Sequence, residues 1–595
     1  MSVSVKTICD FVSQMPDRDA RIPALMLKKN NAWQDISWSQ YHEQISTVSS
    51  ALLALGIEPR EKVAIMSNTR WEWSICDFAI MSIHAVTVPI YPTVTPEDLS
   101  YVLNNSETKI LILESRAMLK IFLKIQEDCP SVRKVICLEN LRKSDLEIIT
   151  WDELLSLGAR EKKGKKDLFD KLCQSTTRQD TATLIYTSGT TGLPRGVVLT
   201  HEQIMSEVTE AFHHLSATKE DTTLTFLPYA HVLGRIESWG HVYVGFKMAY
   251  AESIEKIRSN LSEVQPTVMI AVPRIFEKIY SGIFAQLGNN VFRNKLFRWA
   301  LAVGLKVGHL KLEKKSVPLA LFAEYQLADR LILGKIREAF GGRLRFAVSG
   351  GAPLARDIAL FFHACGVLIL EGYGLTETTA AIFANTSYSY RFGTVGRPIG
   401  DVQVKIAEDG EILIRSKKVM KEYYNDPEAT KEVFSEGWFH TGDIGELLPS
   451  GDLKITDRKK DLIKTAGGKY VVPQKLENLL KANSFISHIL IHGDQKKYIV
   501  ALLTLDTGFL KNFAEEKGLA YKDLSDLTQH YMVLELVRKA VAEANTHLAS
   551  YETIKRFAIL PHDLTVESGE LTPSLKVKRK VLDRKYKHQI EALYT

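Results

Sequence analysis

Cysteine is scarce and unpatterned in this chain. Its six cysteines (Cys9, Cys76, Cys129, Cys137, Cys173 and Cys365) are scattered over 595 residues without Cys-x-x-Cys or Cys/His spacing. That argues against a disulfide framework or a zinc site and fits a reducing cytosol. A large charge of one sign is also missing. The 76 Lys and Arg against 70 Asp and Glu leave a net charge of +6, too mild at this length to point to nucleic acid as a partner. No long apolar run is present. The most hydrophobic stretch, Trp73 to Tyr91, is broken by Asp77, His84 and Pro89, and falls short of the ~20 residues a membrane span needs. It reads instead as a buried helix entering a β-branched strand at Val86-Thr87-Val88. The N-terminus carries Asp10, Asp17 and Asp19 and has no apolar core of signal-peptide type. Internal repeats and low-complexity segments are absent too.

At this length two or more domains are expected. From about residue 60 to 400, apolar runs such as 62–66, 109–113, 135–138, 268–272 and 345–348 alternate with longer helical patterns. Alternation of this kind predicts βαβ units and helix-covered sheets. After residue 400 the texture changes to short alternating segments, 402–406 and 411–414, punctuated by Asp-Gly and Ser-Gly turns. These predict a small antiparallel or barrel-like subdomain, and a smaller α/β unit follows the polar junction 457–461.

What the chain does have is the run Tyr186-Thr-Ser-Gly-Thr-Thr-Gly-Leu-Pro-Arg-Gly196, set between two short β-rich stretches. Backbone N–H groups and the side chains of Thr187, Ser188, Thr190 and Thr191 can converge there on one anion. Gly189, Gly192 and Gly196 permit the close approach. No Gly-Lys-Ser/Thr closes the loop, so it is not a Walker A sequence. By itself it is a phosphate cradle in outline, or a surface hairpin.

Further clusters follow in order. They are Ser349-Gly350-Gly351-Ala352-Pro353, Glu371-Gly-Tyr373-Gly374-Leu-Thr376-Glu377-Thr378, Trp438-Phe-His-Thr-Gly-Asp443, and Asp457-Arg458-Lys-Lys460-Asp461 leading to Gly467-Gly468-Lys469 and Glu477. Each is weak alone. Together, from roughly residue 25 to the C-terminus, they resemble the adenylate-forming superfamily of acyl-CoA synthetases, luciferases and peptide-synthetase adenylation domains. Within it, Leu227-Pro-Tyr-Ala-His231-Val-Leu-Gly-Arg235, Ala271-Val-Pro-Arg-Ile-Phe-Glu-Lys278 and Leu571-Thr-Pro-Ser-Leu-Lys576 look most like the bacterial long-chain fatty acid–CoA ligases.

The resemblance implies a large N-terminal AMP-binding domain, 1–457, of helix-covered sheets with a β-barrel-like subdomain at about 395–457. It implies a hinge at 458–461 around Lys460, and a mobile C-terminal α/β domain, 462–595. It implies ATP, Mg2+ and coenzyme A as cofactors and co-substrate, and a fatty acid activated through an acyl-adenylate. The loop Thr187, Ser188, Gly189, Thr190, Thr191 and Gly192 is then expected on the β- and γ-phosphates, with Arg195 beside it where relatives carry lysine. An arginine keeps the charge but presents a planar donor fork. Glu377 is the expected magnesium ligand and Thr376 the α-phosphate contact. Tyr373 and Gly374 are expected against adenine, with Gly350, Gly351 and Ala352 lining the base pocket. Asp443 is expected on the ribose hydroxyls, with Arg458 assisting. Lys576 resembles the mobile catalytic lysine, although Lys578 lies two residues on, and Gly467 and Gly468 are expected near the pantetheine channel.

A long acyl chain needs an apolar tunnel, and His231 and Trp239, with Phe226, Val232 and Leu233, fall where relatives build its mouth. In 291–308, Phe292, Leu296, Trp299, Val303 and Val307 recur at helical spacing, with Lys295, Arg298 and Lys306 on another face. That pattern is either a basic amphipathic helix lying on a membrane or a helix packed on the core. A cytoplasmic protein, with peripheral contact at the inner face of a membrane and a homodimer both open, fits these features. Rival readings are a fatty acyl-AMP ligase serving a carrier protein, a medium-chain or aryl acid–CoA ligase, a peptide-synthetase adenylation module and a non-catalytic acyl-binding descendant.

Overall fold

The computed structural model describes residues 6–140, 148–165, 167–187, 193–287, 291–459, 461–565, 568–571 and 577–595. Its largest sheet has eight strands in the order Glu422–Tyr423, Arg195–Thr200, Thr181–Thr187, Val86–Ile90, Lys62–Met66, Ile110–Leu113, Lys134–Cys137 and Ile148–Thr150. The six from Thr181–Thr187 to Ile148–Thr150 run parallel, and the two at the other edge are antiparallel. Val86–Ile90 is buried along its whole length, as strands covered on both faces are. The helix Trp71–Ser82 is apolar nearly all round and buried from Trp73 to Ser82, which accounts for the longest hydrophobic stretch without a membrane.

A second sheet holds Val268–Ala271, Phe346–Ser349 and Ile369–Tyr373 in parallel, followed by the antiparallel strands Phe383–Ala384 and Arg397–Pro398. Ser349 pairs with Glu371 at the carboxyl ends of neighbouring parallel strands. The turns 350–354 and 374–380 therefore leave the sheet at one edge, where ligand crevices of open α/β sheets lie. A third, antiparallel sheet joins Gln403–Ile406, Glu411–Arg415, Trp438–Leu447, Phe434–Ser435 and Leu453–Arg458. Beyond it, Ile486–His492, Ile499–Leu505 and Ile554–Ile559 form a small sheet over a separate core of residues 463 to 559.

The basic helix expected at 291–308 runs from Val291 to Leu312. Its Val303 and Val307 are buried with Phe297, Ala300, Gly304 and Gly308. A Cβ on Gly304 would lie 2.4 Å from the Ala364 carbonyl oxygen, so this face sits directly on the helix Arg356–Ala364. The Trp299 indole is half-buried and donates to Glu324 at 2.8 Å. Most of the expected stripe is thus a core-packing face, with Phe292 left exposed.

The helix Val232–Val244 carries an unusual buried load. Arg235 is fully buried, pairs with Asp77 and also donates to the Thr183 hydroxyl. Trp239, equally buried, donates its indole N–H to the same Asp77 at 3.2 Å and lies 4.6 Å from the Arg235 guanidinium. On this helix Glu237 is also fully buried, and burial pushes its pKa from 4.5 up to about 8, with the Thr223 and Thr225 hydroxyls opposing. A carboxyl whose folded pKa is raised favours the fold fully below its unfolded pKa, and loses that contribution as pH rises toward the folded value. Glu237→Gln is therefore expected to flatten the fall in stability between about pH 5 and 8, read as urea midpoints across that range. An unchanged slope would place the carboxyl in water.

Candidate active site

The strand Ile369–Tyr373 ends in a loop that folds back on itself. A Cβ on Gly374 would lie 1.4 Å from the Ala380 carbonyl oxygen, so only glycine fits. The short 3-10 turn Thr376–Thr378 is closed by the Leu375 N–H on the Thr378 hydroxyl at 2.8 Å. It is followed by Thr379 and Ala380 at φ +57° and +87°. Two successive non-glycine residues in the left-handed region are strained, and persist only where surroundings fix them.

Those surroundings are charged and dry. Lys418 has no exposed surface and sits 3.2 Å from Glu207 and 3.1 Å from Glu210. Glu207 accepts the Ala381 N–H at 2.8 Å, and the Thr379 hydroxyl donates to the Lys418 carbonyl at 2.7 Å. Burial raises the Glu207 pKa to about 7, against the pull of Lys418. Glu207 lies on the helix His201–His214, in an otherwise apolar stripe with Ile204, Val208 and Ala211. A carboxylate on such a stripe was a legible signal that sequence reasoning missed.

Glu377 is half-buried. Its carboxylate accepts the Tyr423 hydroxyl proton at 2.8 Å, and its carbonyl accepts the Met420 N–H. Tyr423 belongs to the strand Glu422–Tyr423, which pairs with Arg195–Thr200, and the Arg195 guanidinium lies 5.5 Å from its ring. Arg195 also approaches Asp426 at 3.6 Å and Glu432 at 3.8 Å, and is the strand partner of Thr187 across the hairpin. The structure thus brings both shoulders of the hydroxyl-rich loop beside Glu377. Ser188, Gly189, Thr190, Thr191 and Gly192 lie outside the described residues, as do Lys460 and Lys576. No sequence pattern singles out Tyr423, because strand pairing alone places it.

On the other side, the buried Tyr373 hydroxyl donates to Asp443 at 2.7 Å. Arg458 Nε lies 3.2 Å from the other oxygen of that carboxylate, and the two residues are register partners in adjacent strands. Thr441 supplies its hydroxyl to the Asp443 N–H at 3.1 Å. Gly350 and Gly351 pack near Leu233 and Ala352 is exposed beyond them. Glu371 accepts the Leu354 N–H at 3.2 Å, and burial raises its pKa to about 7.

Four further expected residues lie in a turn, at a helix cap and near the C-terminus. Gly467 and Gly468 form the tip of the turn between Ile463–Lys464 and Tyr470–Val471, with open space where side chains would be. His231 caps the helix Val232–Val244, its Nδ1 accepting the Leu233 N–H at 3.1 Å. Lys578 is half-buried and its backbone N–H bonds the Glu570 carbonyl.

The architecture is that of the adenylate-forming enzymes. It matches the crystal structure of the anthranilate CoA ligase AuaEII in complex with anthranoyl-AMP with a TM-score of 0.74 over 99% of both chains, at 18% identity. The chain belongs to the AMP-binding enzyme family. That family's profile matches residues 10–424, and the AMP-binding enzyme C-terminal domain matches residues 460–595. It is 37% identical over 569 residues to the long-chain-fatty-acid–CoA ligase FadD15 of Mycobacterium bovis, covering 95% of this chain and 93% of that one. It is 31% identical over 595 residues to the peroxisomal long chain acyl-CoA synthetase 7 of Arabidopsis thaliana, covering 94% and 82%.

Removing one partner of a buried ion cluster strands the others without water, at a cost of about 3–5 kcal/mol. Lys418→Ala is expected to lose that much in chemical denaturation and to loosen the 379–381 backbone, read as faster amide exchange there. A loss below about 1 kcal/mol would show that water reaches the cluster.

Proposed function

We propose that this chain joins a long-chain fatty acid to coenzyme A in two steps, with ATP as the activating nucleotide. A carboxylate oxygen attacks the α-phosphorus and pyrophosphate leaves. The coenzyme A thiolate then attacks the acyl carbon and AMP leaves with the electron pair of the broken C–O bond. The observation that supports this most is the convergence on one cleft of Tyr373, Asp443 and Arg458 with Glu377 and the shoulders of the 187–195 hairpin. The long-chain substrate rests on the names of the ligases from Mycobacterium and Arabidopsis.

In this reading Asp443, oriented by Tyr373 and Arg458, accepts the ribose hydroxyls. Gly350, Gly351, Ala352 and Gly374 form the walls against the base, and the Tyr373 ring covers one face of it. The Thr376 hydroxyl meets the α-phosphate. Residues 187–192 grip the β- and γ-phosphates, and Arg195, steered by Asp426 and Glu432, adds a cation at their edge. First-half catalysis is then charge neutralisation and in-line placement rather than proton transfer. Glu377 offers the hard oxygen that magnesium prefers and would hold it against the ATP phosphates, where the ion supplies charge neutralisation. Lys576, or Lys578 two residues on, brings the compact ammonium that offsets charge at the reacting centre.

The hinge lies at 458–461 between the units 1–457 and 462–595, with Lys460 as the turning residue and Gly467 and Gly468 presented to pantetheine after rotation. His231 and Trp239 stand at the acyl mouth. The protein works in the cytoplasm. Of the two partners open from sequence, a membrane surface and a second copy, the surface chemistry favours the membrane.

Acids of two to twenty carbons, offered with ATP and coenzyme A, are expected to release AMP most efficiently at long chain length and only when coenzyme A is present. Release independent of coenzyme A would turn the reading toward an acyl-AMP ligase, and preference for short or aromatic acids would overturn the substrate. Asp443→Asn is expected to raise the KM for ATP about 10- to 100-fold, the worth of a charged hydrogen bond or two. Glu377→Gln is expected to lower kcat about 10²- to 10³-fold. Unchanged constants in both would remove these residues from the nucleotide site.

A further inference from the structure

The helix Leu319–Ala328 has the sequence Leu-Ala-Leu-Phe-Ala-Glu-Tyr-Gln-Leu-Ala. A helix this apolar around its circumference belongs inside a protein, yet Ala328 is its sole buried residue. Leu319 is 87% exposed, Leu327 53% and Phe322 48%, and Leu331 follows at 39%. Its one charged side chain, Glu324, is engaged by the Trp299 indole N–H. The preceding helix opens with two further exposed apolar residues, Val291 at 67% and Phe292 at 74%.

The surrounding charge is one-sided. Between 291 and 335 the chain carries nine cations (Arg293, Lys295, Arg298, Lys306, Lys311, Lys314, Lys315, Arg330 and Lys335) against three carboxylates. All three carboxylates are already engaged. Glu313 lies 2.7 Å from Lys315, Glu324 meets Trp299, and Asp329 pairs with Arg337. The local excess equals the net charge of the whole protein.

We propose that this helical hairpin, Leu319–Ala328 with the cationic helix Val291–Leu312, is a docking surface for an anionic phospholipid bilayer. Exposed leucines and a phenylalanine enter the acyl boundary, and lysines and arginines meet the lipid phosphates, as at interfacial amphipathic helices. A second copy is the poorer occupant. A two-fold symmetric contact sets the same patch against itself, and here that opposes one cationic excess to another. Among the described residues no helix is long and apolar enough to cross a membrane, so the contact is superficial. Its purpose rests on the long-chain reading above, because such acids partition into bilayers. Its surface does not.

Flotation of the full-length protein with vesicles tests it. Binding to phosphatidylglycerol/phosphatidylcholine vesicles is expected to exceed binding to phosphatidylcholine alone at least tenfold, and to fall in 0.5 M salt. Phe322→Glu, Leu327→Glu and the pair Lys314→Glu with Lys315→Glu are each expected to weaken it about tenfold or more. Because these side chains are exposed, thermal midpoints and AMP release from an acid delivered in detergent should stay unchanged. Equal binding to both vesicle types, or full binding by the Phe322→Glu protein, would overturn the proposal. So would a wild-type dimer in sedimentation equilibrium that Phe322→Glu converts to monomer, since the face would then belong to a second copy. Absence of vesicle binding by the wild-type protein with AMP release intact would be failure of this surface alone, and absence of AMP release would be failure of the ligase reading.

Discussion

Two described loops of the site and one strand position beside Asp443 are each held from behind by a carboxylate that accepts a backbone N–H. Glu371 takes the Leu354 N–H at the end of the 350–354 turn. Glu207 takes the Ala381 N–H under the strained Thr379–Ala380 pair. Glu411 takes the Gly442 N–H beside Asp443 at 3.0 Å. Irregular backbone cannot satisfy its own polar groups as helices and sheets do, and charged acceptors bond N–H groups more strongly than neutral ones. Three side chains from a helix and two sheets thereby fix two loops and the Gly442 position of the strand Trp438–Leu447. The rest of the site's geometry depends on this.

The three carboxylates are balanced differently. Glu411 is buried, and although burial opposes it, Lys459, His440 and the Gly442 N–H hold its pKa below the ordinary range. Glu207 has Lys418 beside it, but complete burial still carries its pKa to about 7. Glu371 has no cation, and burial carries it equally high. Buried ion clusters are weak evidence for net stability, since desolvation opposes attraction. What the Lys418 cluster contributes is position. It joins the helix after the 187–195 hairpin, the Thr376–Glu377 loop and the segment following Glu411–Arg415 in one contact.

Much of this was legible in the sequence, and what was not has identifiable causes. Strands at 62–66 and 268–271 stand out because β-branched runs between turn residues have few alternative readings. The pairing of Asp443 with Arg458 follows from two strands of one hairpin-like ladder, and each residue lies in a recognisable cluster. Tyr423 and Lys418 were invisible. Each lies in a short segment with no periodicity, and gains its role from a strand or helix more than two hundred residues away. The Val291–Leu312 helix shows the opposite case. Its apolar stripe was read correctly as a stripe, but periodicity does not say whether a stripe meets core or lipid. The shape of Gly304 against Ala364 decides for core. The face left for a membrane is the next helix, whose lack of amphipathic contrast hides it from pattern reading.

In the two-step reading proposed above, the segment 458–461 is where the C-terminal unit would turn. Asp457 is the penultimate residue of the strand Leu453–Arg458, with its carboxyl buried enough to raise its pKa to about 6, against the pull of Arg579. Arg579 pairs with Glu477 and lies 3.9 Å from Asp461. One guanidinium therefore faces carboxylates on both sides of 458–461 while sitting three residues beyond Lys576. Arginine suits such a place, because its donor fork engages several carboxylates and it stays charged when buried. A rotation at 458–461 must carry Asp461, Glu477 and Arg579 together and leave Asp457 behind. The cost of separating them is small, because Asp457 contributes field rather than a hydrogen bond to Arg579. The Arg579–Glu477 pair would travel intact, while the contacts that would part, the Asp457 field and the longer bonds of Arg274 and Ser281 to Ser487, Asp563 and Ser484, are weaker, which is the ordering a reversible hinge requires.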